Sequence, residues 1–170
     1  DFHSLPEPVG KSVLENYHDP AVMEIRDEAI VDLGWRGLKG AITEYNQKQF
    51  NKSIIIGGDI TILKERMAIA STKGMNDCDE STVLTASITS MIEMEKVKGT
   101  GWNTSTHISC FSPEAAGRES AESAIRTRGG DRISSGTYDV IFGKQPVTDL
   151  FANIVIPALS LSSINTSDTP

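Results

Sequence analysis

Between Thr82 and Met94, apolar and polar side chains alternate with a period of two. Leu84, Ala86, Ile88, Ile92 and Met94 fall on one face; Thr85, Ser87, Thr89 and Glu93 fall on the other. Successive side chains of a strand point to opposite sides, so this pattern suits a strand with one face on a core and one in water. A sheet solvated on one side is the habit of antiparallel pairing. The flanking segments extend the reading. Ser53–Leu63 reads as β, with Gly57-Gly58-Asp59 as a bulge or turn, and Arg66–Ser71 reads as a second short strand. Lys73-Gly74-Met75-Asn76-Asp77 reads as a turn, Lys98-Gly99-Thr100-Gly101 as another, and Trp102–Phe111 as a returning strand. The expectation is an antiparallel meander.

Helical signals flank the meander. Asp19 is placed as an N-cap with Pro20 at the first helical position. Val22, Ile25, Ala29, Leu33, Leu38, Ile42 and Tyr45 then follow helical spacing. Gly34, Gly37 and Gly40 each cost roughly 1 kcal/mol in a helix interior, so they either divide the helix or mark close packing. Ser112-Pro113-Glu114 opens a second helix, built on small residues, that runs to about Arg128 and ends at Gly129-Gly130. Beyond it, Ser135-Gly136 reads as a turn and Tyr138–Phe142 as a buried strand. Val147–Leu161 reads as a helix that Pro157 kinks or ends. The fold class expected is α+β, with a helix packed on an antiparallel β-meander and then a helix–strand–helix segment. By this reading residues 1–18 form an extended arm around Leu5-Pro6-Glu7-Pro8. Residues 19–111 and 112–164 form two modules, and 165–170 a polar tail.

Composition bounds the function. A chain of 170 residues buries roughly 68–70% of its unfolded surface and needs no metal or disulfide to fold. With 23 acidic against 16 basic residues, the net charge of −7 argues against direct nucleic-acid binding, which requires clustered Lys and Arg. No apolar run approaches the roughly 18 residues of a membrane span. The N-terminus has neither the basic flank nor the apolar stretch of a signal peptide. Two cysteines, Cys78 and Cys110, suit a reducing cytoplasm, with a single disulfide left open.

No motif carries chemistry outright. The histidines are His3, His18 and His107; none forms an HExxH-type pair or has the cysteine spacing of a zinc site. Asp77-Cys78-Asp79-Glu80 is the densest ligand cluster, but consecutive residues point apart, and a solvated loop is expected there. Gly57-Gly58-Asp59 and Gly99-Thr100-Gly101 do not open a helix after a strand, as a phosphate cradle must. His107, beside Thr106 and Ser109, reads as a hydrogen-bonded sheet histidine rather than part of a Ser/His/Asp set. Arg118, Arg126, Arg128 and Arg132 are expected to be solvated or to pair with Glu119 and Glu122. No catalytic, cofactor-binding or metal-binding residue is assigned.

The order of phrases says more. Phe111-Ser-Pro-Glu-Ala-Ala-Gly-Arg-Glu-Ser-Ala-Glu-Ser-Ala-Ile-Arg126, followed by Ile133-Ser-Ser-Gly-Thr-Tyr-Asp-Val-Ile-Phe142, resembles the TldD/PmbA family, the so-called modulators of DNA gyrase. Arg66-Met-Ala-Ile-Ala-Ser-Thr-Lys-Gly74 is similar to that family's strand and turn, and Phe2-His-Ser-Leu-Pro-Glu-Pro8 to its lead-in. The resemblance runs over about residues 1–156. It implies the N-terminal half of a cytoplasmic, metalloprotease-related protein, ahead of a larger β-rich domain. In TldD-type subunits an HExxxH helix supplies two metal-binding histidines and a general base. The corresponding stretch here, Lys144–Leu159, contains no histidine, so those ligands transfer to no position.

The resemblance therefore implies a PmbA/TldE-like portion that is inactive alone and holds no cofactor, with zinc only in a catalytic partner. Its expected partners are a TldD-type subunit or a second copy of itself, and a peptide or unfolded protein as substrate. The alternative is a stand-alone α+β binding or assembly module using the hydroxyl-rich sheet face at Thr85–Thr89 and Thr104–Ser109.

Overall fold

The structure, a computed structural model, describes Gly10, residues 17–48 and residues 52–159. The expected polar tail, most of the expected arm and the Phe2–Pro8 phrase lie outside the described residues. Contacts divide the chain into two units, Asp1–Gly130 and Asp131–Pro170.

The first unit is α+β. Strands β1 (Ile54–Ala70), β2 (Asn76–Ile92) and β3 (Val97–Ser105) form an antiparallel sheet in the order β1-β2-β3. Helix α1 (Pro20–Met23) leads into α2 (Asp27–Gln47), and α3 (Pro113–Arg126) follows the sheet. Helix α3 lies across β3 and β2 and packs against α2. The alternation in β2 works as expected: Leu84, Ala86, Ile88, Ser90 and Ile92 are buried beneath the helices, and the residues between them are half-buried. Leu84, Ala86 and Ile88 form one apolar cluster with Val22, Leu33, Phe111 and Ala116. Ile92 forms a second with Ala41, Tyr45, Ala121 and Ala124.

The glycines account for most departures from the sequence reading. Strand β1 runs unbroken from Ile54 to Ala70, so the expected bulge at Gly57-Gly58-Asp59 is absent and the two short strands are one. A Cβ on Gly58 would lie 2.1 Å from the Ser87 carbonyl oxygen, so this glycine permits close backbone approach rather than a bend. The hairpin turns at Ser71–Met75, where Gly74 adopts φ +88°, the left-handed region glycine enters freely. Strand β2 therefore begins at Asn76, and Asp77–Glu80 belong to a strand rather than a loop.

The turn expected at Lys98–Gly101 is also displaced. The chain reverses at Glu93–Lys96, Met94 is exposed, and Gly99 and Gly101 sit inside β3. A Cβ on Gly101 would meet the Ala116 carbonyl oxygen at 2.0 Å, and one on Gly99 the Ala124 nitrogen at 2.3 Å. These glycines seat α3 on the sheet. β3 ends at Ser105, short of Phe111, because residues Ile108–Cys110 form a 3-10 turn.

Helix α2 keeps its glycines for the same reason. A Cβ on Gly40 would lie 2.3 Å from the Glu114 carbonyl oxygen, and one on Gly117 2.0 Å from that of Gly37. Close packing, not a break, explains two of the three glycines; Gly34 faces open space. Both predicted caps form. Asp19 Oδ1 accepts from the Ala21 amide at 2.9 Å, and Ser112 Oγ from the Ala115 amide at 3.4 Å.

In the second unit Tyr138–Phe142 form no strand, and Ile141 is 98% exposed. A strand needs a neighbour for its ladder, and among the described residues no strand lies in this unit. Helix α4 begins at Lys144 rather than Val147 and ends at Leu150. A π-helical turn, Phe151–Val155, leads into a last helical turn, α5 (Ile156–Ala158). Pro157 brings no amide hydrogen and crowds the preceding turn, which is the wider π-helical one, and the helix ends one residue after it, at Ala158. Among described residues 131–159, none is buried.

Candidate functional site

Both helices of the two-helix layer pack on the same side, so the opposite face of the sheet lies bare. Register sets its side chains in rows across the strands. Thr61, Thr85 and Thr104 form one row; Asp59, Ser87 and Trp102 form the next. Gly57, Thr89 and Thr100 follow, with the two threonine hydroxyls 3.1 Å apart. The hydroxyl-rich face read from the sequence therefore exists over β2 and over β3 as far as Thr104. Thr106 to Ser109 depart from it, because β3 has ended. A sequence pattern of alternate Thr and Ser reveals the face, but not the long β1 that borders it. Chemically the surface offers hydroxyl donors and acceptors and one indole, a set suited to binding rather than bond cleavage.

His107 caps the 3-10 turn instead of lying in the sheet. Its Nδ1 is 2.9 Å from the Thr106 hydroxyl, and its amide donates to Ser105 Oγ at 3.1 Å. The nearby carboxylate is committed elsewhere. Asp19 is buried, accepts from the Ile108 amide through Oδ2 at 2.8 Å, and receives the Ala21 amide through Oδ1. Its own amide donates to Thr82 Oγ1 at 2.9 Å, which in turn donates to the Thr106 carbonyl. The Ile108 amide in particular holds the Asp19 carboxyl below its ordinary range. The cluster is a structural clasp joining α1, β2 and the segment after β3. It assembles no Ser/His/Asp relay.

The arginines divide. Arg126 pairs with Glu122, one helical turn away, as expected. Arg128 and Lys52 both reach Glu95 in the β2–β3 reversal, a network the sequence reading missed because its members are far apart in the chain. That double pairing holds the Glu95 carboxyl down to about 2, with Arg128 the larger cause. Between α2 and α3 an open groove of about 490 Å³ is lined by Lys39, Gly40, Thr43, Glu44, Gln47, Glu114 and Arg118. Its carboxylates are engaged, Glu114 with Arg36 and Glu44 with Lys48.

Among the described residues no group of three or more His, Cys, Asp or Glu converges to hold a metal. Cys78 and Cys110 are both exposed free thiols. Among the described residues no helix is long and apolar enough to cross a membrane.

The fold and the bare face define a two-layer α+β module with a one-sided antiparallel sheet. No protein-family model matches the sequence, and no curated protein matches it. One solved structure, of a candidate modulator of a DNA gyrase from Thermotoga maritima, is similar in fold. The TM-score is 0.62 at 13% sequence identity, and the match covers 79% of this chain and 30% of that one. The likeness is one of fold, and the chain spans under a third of the solved protein's length.

Proposed function

We propose that this chain is the N-terminal, non-catalytic portion of a TldD/PmbA-like protein, of the PmbA/TldE kind. It would support metal-dependent proteolysis or peptide processing carried out by a partner subunit or a further domain. The observation that supports the reading is the fold likeness over 79% of the chain to a candidate gyrase modulator, alongside the ordered phrases at Arg66–Gly74 and Phe111–Phe142. The family's HExxxH ligands do not fit this chain: it has three histidines and none at that spacing. No step through a metal is derived for it.

The role assigned is steric. Helices and sheet wall off a cavity so that only extended chains reach the metal of the partner, with zinc held there and a cytoplasmic setting. The purified 170-residue chain is expected to show no peptidase activity with or without added zinc, read as release of fluorescent peptide fragments. Zinc-dependent cleavage abolished by a chelator would overturn the reading. Co-purification with an HExxxH-bearing chain from the same cell is the positive test.

A second reading, a stand-alone binding module, is favoured by the bare rows of Thr61, Thr85 and Thr104. The reading frame after Pro170 separates the two: a continuing β-rich domain favours the first, a native stop codon the second.

A further inference from the structure

The strand edges of the sheet are not finished alike. At β3, the Trp102 amide donates to Glu119 Oε2 of α3 at 3.3 Å rather than to β2. Where β2 runs on past the end of β3, the Thr82 amide donates to the Tyr17 carbonyl at 3.1 Å. The Cys78 and Glu80 amides donate to the carboxylates of Asp77 and Asp79, each at 3.0 Å. The outer edge of β1 has no such cover. The Thr82 amide turns away from β1, so Lys64, its register partner, also turns its backbone groups outward. Alternation carries this along the unbroken strand. The N–H and C=O groups of Ile54, Ile56, Gly58, Ile60 and Ile62 therefore point off the sheet. Among the described residues no group is hydrogen-bonded to them.

Natural edge strands are blunted by lysine, proline, a bulge or shortness. Ile54–Leu63 contains no lysine, no proline and no bulge, and a single charge, Asp59. A row of donors and acceptors at strand spacing has one complement, another extended backbone. The two faces of β1 say what that backbone carries. On the helix side it would continue the row of half-buried Ile54, Ile56, Ile60 and Ile62, so apolar side chains suit alternate positions. On the other face Asp59 is exposed, and among the described residues it meets only the Thr61 hydroxyl, at 3.4 Å, and no cation. A residue added opposite Asp59 would have its Cβ about 5 Å away, within reach of a Lys or Arg.

We infer that the Ile54–Leu63 edge of β1 takes an extended segment of another protein by strand addition, apolar at alternate positions and with a basic residue set against Asp59. The inference does not rest on the proposed function, since it requires no peptidase. A short fluorescent peptide of alternating valine and threonine, with a lysine in place of the central threonine, is titrated with the full 170-residue chain and read by anisotropy. Saturable binding is expected. Exchanging the lysine for glutamate should raise the Kd about fivefold. Asp59→Lys should reverse that preference, with far-UV circular dichroism confirming that the variant folds. N-methylation of alternate peptide amides separates backbone pairing from side-chain contact. Methylating one alternate set should abolish binding, and methylating the other should leave it intact. No saturable binding overturns the inference. So does an equal effect of the two methylated sets, or indifference to the exchange of lysine for glutamate. None of these outcomes bears on peptidase activity, so the proposed function stands or falls separately.

Discussion

Neighbouring glycines with opposite surroundings give a test at the scale of single residues. Gly57 and Gly58 are consecutive in β1 and point to opposite faces. A Cβ on Gly57 meets nothing within 4 Å, whereas one on Gly58 lies 2.1 Å from the Ser87 carbonyl oxygen and 2.9 Å from the Ile88 Cα. Gly57→Ala should be neutral or stabilise by up to about 1 kcal/mol, through the lost freedom of the unfolded chain. Gly58→Ala should destabilise by about 1–3 kcal/mol, because backbone must move. Urea melts of the two variants check the contrast. Glu95 offers a second test. Its folded carboxyl is depressed to about 2 by Arg128 and Lys52. A depressed acid contributes stability above its unfolded value, near 4.5, and loses that contribution as pH falls toward 2. Glu95→Gln should therefore flatten the fall in urea midpoint over that window and lower the midpoint at neutral pH.

At the scale of elements, the β1–β2 hairpin is longer than the layer that covers it. From Leu63 onward every β1 residue is exposed, and Asn76–Glu80 are exposed or half-buried. A two-stranded ribbon is marginal in water unless something packs on it. Hydrogen exchange should grade along the hairpin, fast at residues 65–70 and 76–80 and slow at Leu84–Ile92. Uniform protection from end to end would contradict this account. The same comparison explains what the sequence reading grasped. β2 was legible because its buried face, Leu84, Ala86, Ile88 and Ile92, repeats every two residues under one continuous cover. β1 was not, because Gly57-Gly58 carries the local mark of a turn, and only the approach of Ser87 shows that the pair fits an unbroken strand.

At the scale of the molecule, the two units differ in what holds them. The first has two apolar clusters beneath its helices. The second has no buried described residue, and Ile133, Val140, Ile141, Phe142 and Ile156 are all exposed. A chain ending at Gly130 should keep its melting temperature within about 2 °C of the full chain, since burial supplies the stability. Limited proteolysis should cut first within 131–143. A large drop in melting temperature would show that the first unit depends on the second.

The sequence by itself determined the α+β class, the caps at Asp19 and Ser112, the period of β2 and the absence of HExxxH ligands. Each is set by residues within a few positions of one another, through backbone geometry, capping or composition. Only tertiary structure decided the rest. It turned Gly99 and Gly101 from turn residues into a seat for α3, because a carbonyl of α3 occupies the space where their side chains would be. It brought Lys52, Glu95 and Arg128 together from three separated segments, and it left Tyr138–Phe142 without a strand to pair with. It also set α3 over β3 and β2 and α2 over β1 and β2, baring the threonine face on the other side and leaving Trp35 in water. Long-range contacts carry no local signature, and those contacts placed every surface on which the function is argued.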